Sequence, residues 1–126
     1  MRPKTLGEVV LLTADGDSFD FCLANVLDEF YTAPAEAALS ETPILLAPRL
    51  GELGQVQDAY LAATAEELAR AFHLPVPEWT TGDERKLRKP WFASPLAALR
   101  AVLLLESPAG FRSRNLFVSE NALTRV

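Results

Sequence analysis

In "DGDSFDFCLANVLDEFYTA" the apolar residues Phe19, Leu23, Val26, Leu27 and Phe30 recur at i, i+4, i+7, i+8 and i+11. That spacing lays them along one stripe of a helix. Asp15, Asp17 or Ser18 can cap its start, and acids in the first turn suit the positive end of the helix dipole. The helix should end near Tyr31, ahead of Pro34. A second period runs through "QVQDAYLAATAEELARAFHL", where Val56, Tyr60, Ala63 and Phe72 share a broad apolar face with Leu61, Ala65 and Leu68. Alanine adds helix propensity, and Glu66 and Arg70 make a favourable i, i+4 pair on the other side.

The remaining stretches are shorter or irregular. "TLGEVVLLTAD" opens with Thr5 and has Glu8 three residues later, a capping-box spacing. Leu6, Val9, Val10 and Thr13 would then share a helical face, with a short strand as the alternative for a β-branched run. "PAEAALSETP" predicts about two helical turns stopped by Pro43. "ILLAPRLGELG", broken by Pro48, Gly51 and Gly54, reads as a connector that drops Leu45 and Leu46 into the core. "PVPEWTTGDERKLRKPWFAS" follows no period, so residues 75–92 form a long connection anchored by Trp79, Trp91 and Phe92. In "SPLAALRAVLLLE", Ser94 caps and Pro95 takes the first helical position. This helix is apolar nearly all the way round, which predicts the central buried helix. Ser107 and Pro108 repeat the Ser-Pro start, and Asn115 suits a left-handed stop. "LFVS" is extended near 116–118, and "SENALTRV" predicts a last turn or two of helix capped by Ser119. The expectation is a single all-α domain over residues 1–126, of five or six helices with irregular connections.

Length agrees, since 126 residues suffice for one domain with a core that needs no metal or disulfide staple. Charge changes the picture more. The net charge of −5 conceals a split: residues 1–84 carry four basic and fifteen acidic groups, net −11, and residues 85–126 carry eight and two, net +6. The positive third either meets the chain's own acids or faces an anionic partner. The lone Cys22 cannot make an internal disulfide and fits a reducing, cytoplasmic setting. The apolar run Ala101–Leu105 is far too short to span a membrane, and the N-terminal apolar run, interrupted by Glu8, makes a poor signal peptide.

Candidate chemistry is sparse. The only histidine, His73, ends a helix, where it can serve terminal carbonyls, and it has no companions for a zinc site. Cys22 lies between helical apolar positions and reads as a buried, inert thiol. "DGDSFD" begins like a calcium loop but has Val26 at the twelfth position, where a glutamate ligand is needed. Asp20 and Asp28, two turns apart, are the most that a metal-assisted hydrolase could use, a remote alternative. There is no phosphate-binding glycine loop and no catalytic triad pattern. The expectation is a protein that is not an enzyme and needs no cofactor or metal.

Basic and aromatic residues are what remain. "RKLRKPWF" sets Arg85, Lys86, Arg88 and Lys89 ahead of Trp91 and Phe92. Arg112 and Arg114, two apart, cannot share a helical face, so one can reach inward to an acid of the first eighty residues while the other faces out. Interface hot spots favour Trp, Tyr and Arg. Trp79, Arg85, Lys86, Arg88, Lys89, Trp91, Phe92, Arg112 and Arg114 therefore form the candidate partner-binding set. A protein partner is expected first. Nucleic acid is the alternative, with phosphates held by charge and bases stacked on rings.

"FDFCLANVLDEFY", "DAYLAATAEELA", "LPVPEWT", "RKPWFAS" and "ESPAGFRSRNLFVSENALTRV" together resemble a family of small bacterial proteins. Its members share a helix of the form FDxxLAxxLDEFY, a PxW…PWF connection and a close of the form SPxxFRxRN[IL]FV. Some relatives are fused to, or similar to, helix-turn-helix regulators and antitoxin-like proteins. The resemblance carries no established activity; it implies a non-catalytic regulatory or interaction module, encoded beside a partner enzyme.

Overall fold

The Thr5 hydroxyl accepts the Glu8 N–H at 3.1 Å and starts helix α1, Leu6–Ala14, in the computed structural model, which describes residues 2–125. The Val9-Val10 pair is thus helical. Glu8 Oε1 accepts from the Lys4 N–H at 3.2 Å instead of closing the capping box on Thr5. Ser18 caps α2, Phe19–Thr32, by accepting the Phe21 N–H at 3.2 Å. Phe19, Leu23, Val26, Leu27 and Phe30 are all buried, as the period predicts. Each such side chain contributes about 1.5–3 kcal/mol on leaving water.

Two single-turn helices follow, α3 at Ala37–Ser40 and α4 at Ala47–Leu50. Leu46 is buried as expected, whereas Leu45 is only half-buried. Gly51 turns the chain with φ +63, a left-handed conformation that favours glycine, and α5 then runs Glu52–Ala71. His73, with φ 58, bends the chain away beyond its end.

Helix α5 is the centre of the fold. Leu61, Ala65 and Leu68 join α1, α2 and α3 in the larger core cluster, while Ala59 and Ala63 join Phe111, Leu116 and Val118 in the second. Small alanines on both sides let neighbouring elements approach closely. Gly54 shows the same closeness at the α4–α5 crossing: a Cβ there would lie 2.5 Å from the Leu46 carbonyl oxygen.

Beyond α5 the chain makes two 3₁₀ turns, Glu78–Thr81 and Asp83–Arg85, then strand β1 at Trp91–Phe92. Helices α6, Ala97–Glu106, and α7, Ala109–Arg112, lead to strand β2 at Leu116–Phe117. The strands pair in parallel, Trp91 with Leu116 and Phe92 with Phe117. Asn115 takes the left-handed conformation, φ 63, that its position suggested. Buried Ser107 ties the end of α6 to β2: its hydroxyl accepts the Val118 N–H at 2.8 Å and lies 2.6 Å from the Leu103 carbonyl oxygen. With seven α-helices among the described residues and one two-residue pair of strands, the fold is all-α.

Four expectations need correction. The "ILLAPRLGELG" connector is largely helical, since it holds α4 and the first turn of α5. Ser94 and Pro95 lie ahead of α6, whose N-cap is Leu96 and whose first residue is Ala97. The central buried helix is α5 and not α6, of which only Leu103 is buried. The close "SENALTRV" is a series of turns over the residues described, not a helix. There the Leu123 carbonyl accepts from the Tyr31 hydroxyl at 2.8 Å, and Arg125 pairs with Asp28 at 2.8 Å, so α2 holds the segment. Arg2 approaches the same place, 3.3 Å from Glu29 and 3.9 Å from Asp28.

Candidate interaction surface

Within the connection 75–92, two of the expected contact residues face inward. The Trp79 indole N–H donates to the Leu39 carbonyl at 2.9 Å, and its half-buried ring packs on the larger core cluster. The Arg85 guanidinium lies 4.8 Å from the centre of that ring. Arg85 is only 2% exposed and donates to the Pro43 carbonyl at 2.6 Å and, at 3.4 Å, to the Asp58 carbonyl. Burial disfavours its charge, and the carboxylates of Asp58 and Glu84 offset part of that penalty. Asp58 is fully buried and accepts the N–H groups of Leu46 at 2.7 Å and Ala47 at 3.0 Å. Burial pushes the Asp58 carboxyl upward, against these hydrogen bonds and Arg85. Arg85 is therefore a fastener between the connection and the α4–α5 corner.

Arg114 does the same for the close of the chain. It is 4% exposed and donates to Glu66 at 2.7 Å, to the Gly110 carbonyl at 2.7 Å and to the Thr80 carbonyl at 2.9 Å. Arg70 reaches the same Glu66 carboxylate at 3.0 Å. Burial raises the Glu66 pKa, but the hydrogen bonds from Arg114 and Arg70 outweigh it and hold the carboxyl below its ordinary range. Arg112 is exposed. The alternation of these two arginines thus splits them, one inward to an acid of α5 and one outward.

Lys86, Arg88 and Lys89 are exposed and border an open groove of about 640 Å³ that Glu52, Asp83 and Glu84 also line. Half-buried Trp91 lines this groove and also a second one of about 610 Å³ that holds Phe19, Asp20 and Tyr60. The Tyr60 phenol is pushed up to about 12 by burial and by the Asp20 carboxylate. Phe92 stacks on Phe117 with ring centres 5.1 Å apart, and Arg100 sits 5.2 Å over the Phe92 ring. Of the nine candidate residues, Trp79, Arg85 and Arg114 are engaged internally and Trp91 and Phe92 are half-buried. Lys86, Arg88, Lys89 and Arg112 face solvent, and none of the four makes an ion pair among the described residues.

The sequence reading missed the exposed apolar residues of α6. Leu96, Leu99, Val102, Leu104 and Leu105 are all exposed, Leu96 at 61% and Leu105 at 82%. A scattered exposed leucine needs no explanation, but five large apolar side chains are exposed on and just before this one ten-residue helix. The available signal was the near-absence of charge in "LAALRAVLLLE", which fits equally a helix buried in its own core and one awaiting a partner.

Other groups offer little chemistry. Cys22 is buried, with its thiol pKa raised by burial and by Asp17. Asp28 is occupied by Arg125 and Arg2, and Asp20 lies at the second groove. Among the described residues no three His, Cys, Asp or Glu side chains gather as a metal-binding group, and no helix is long and apolar enough to cross a membrane. No family model, no curated protein and no solved structure matches this chain.

Proposed function

We propose that this chain is a non-catalytic protein-interaction module, antitoxin-like in the sense that it acts by docking on a partner protein. The observation that carries this reading is α6, where Leu105 and the preceding Leu96 are mostly exposed and Leu99, Val102 and Leu104 are partly so. Exposed apolar surface on this scale raises the free energy of the free chain and is recovered on docking. The four solvent-facing cations, Lys86, Arg88, Lys89 and Arg112, suit a partner with an acidic rim. A reducing, cytoplasmic setting fits the unpaired, buried Cys22.

Capture from native lysate with wild type and with Leu105→Asp tests the reading, followed by co-purification of the recovered protein with the recombinant chain. The expected result is one protein held in stoichiometric amount by wild type and lost with the variant, at unchanged melting temperature. Equal recovery by both would sink the assignment to α6.

The nucleic-acid reading rests on the same four cations, since Arg85 and Arg114 are committed internally. Its signature is binding to labelled duplex or single strand that falls steeply with salt. Absence of binding at low salt removes it.

A further inference from the structure

Helix α6 turns about 100° per residue, so Ala98, Ala101 and Leu105 lie opposite Leu103, the one residue it buries. Their i, i+3, i+7 spacing is that of a helix-pairing seam, flanked here by Ala97, Val102 and Leu104. No charge falls on this face. Arg100 is held over the Phe92 ring and Glu106 is half-buried, both toward the inner side.

We propose that this face binds a second copy of the same chain, the two α6 helices running antiparallel about a two-fold axis between Ala101 and Val102. The inference rests on the interaction reading above and names the partner for that surface. The argument is steric. In the antiparallel arrangement Ala98 of one copy meets Leu105 of the other, at both ends of the contact, and Ala101 meets Val102. Each large side chain then faces a small one, as knobs into holes require. A parallel pair would set Leu105 against Leu105 and leave a gap between the two Ala98 residues. Charge agrees: the chain carries −5, yet two copies meet here without placing like charges together. The helix dipoles also oppose one another. A ten-residue helix is only about 15 Å long, so the pair lies at the small end of specific interfaces and is expected to exchange with the monomer.

Sedimentation of the full chain over a range of concentrations tests the pairing, and engineered cysteines test its register. Wild type should shift from monomer to dimer with concentration, and Leu105→Asp should weaken that shift by about tenfold or more at unchanged melting temperature. The native Cys22 is buried and stays silent. Under mild oxidation an Ala98→Cys chain mixed with a Leu105→Cys chain should form a mixed disulfide. Leu105→Cys alone should not, because its two thiols would stand about 10 Å apart along the axis, beyond disulfide reach. Wild type that stays monomeric, a dimer indifferent to Leu105→Asp, or equal cross-linking in both cysteine mixtures overturns the proposal. A monomeric chain that still loses its captured protein on Leu105→Asp keeps the interaction reading and removes only the second copy. If neither self-association nor capture depends on Leu105, both fall.

Discussion

Arg114 and Glu66 lie 48 residues apart in sequence and 2.7 Å apart in space. This pair joins the basic close of the chain to the central helix, and the cation also satisfies the Gly110 and Thr80 carbonyls. Arg114→Ala would strand the Thr80 carbonyl, leave the Gly110 carbonyl with the Ser113 hydroxyl and leave Glu66 with Arg70 alone. The expected loss is about 3 kcal/mol in urea unfolding. Arg114→Lys should recover only part of it, because one ammonium cannot reproduce the fork of a guanidinium.

Acid should weaken the fold through the same carboxylate. The Glu66 pKa is lowered from its ordinary 4.5 in the folded chain, so its contribution is complete above that value and disappears as pH falls through the lower folded one. Asp28 acts in the same sense, held down first by its hydrogen bond from Arg125. Stability measured from neutrality downward should fall on acidification, and Glu66→Gln should flatten that fall.

Gly54→Ala tests the crossing of α4 and α5. The added methyl would meet the Leu46 carbonyl at 2.5 Å and the Ala47 nitrogen at 2.7 Å, both backbone atoms that cannot swing aside. Overpacking of this kind costs about 1–3 kcal/mol, more than the helix propensity gained. A lowered melting temperature checks it.

Ser107→Ala should strand the buried Val118 N–H, whose acceptor is the Ser107 hydroxyl. The expected cost is about 1–3 kcal/mol. Ending the chain at Asn115 goes further, removing Leu116 and Val118 from the second core cluster and both residues of β2, Leu116 and Phe117. Calorimetry of that truncation should show the cooperative transition weakened or lost.

How much of this was legible in the sequence depends on what decides each feature. The stripe of α2, the caps at Thr5 and Ser18 and the left-handed Asn115 are set by neighbours a few residues away, and local pattern reveals them. So is the opposite facing of Arg112 and Arg114. The place of α6 is different. Its periodicity says helix and its apolarity says covered, but whether the cover comes from the same chain depends on how many other elements remain to supply it. Helix α5, with alanines on both sides, takes the central position instead. Arg85 poses a similar problem. It stands in a run with Lys86 and Arg88, and only distant partners, the Pro43 carbonyl 42 residues away and the Asp58 carbonyl 27 away, set it apart.

Arg2 and Arg125 both meet the carboxylate of Asp28. Residues from opposite ends of the described chain are thereby brought within a few side-chain lengths. A short flexible linker would join them without crossing the body of the fold, so the order of the helices could be permuted by opening the backbone at an exposed turn such as Asp15–Asp17.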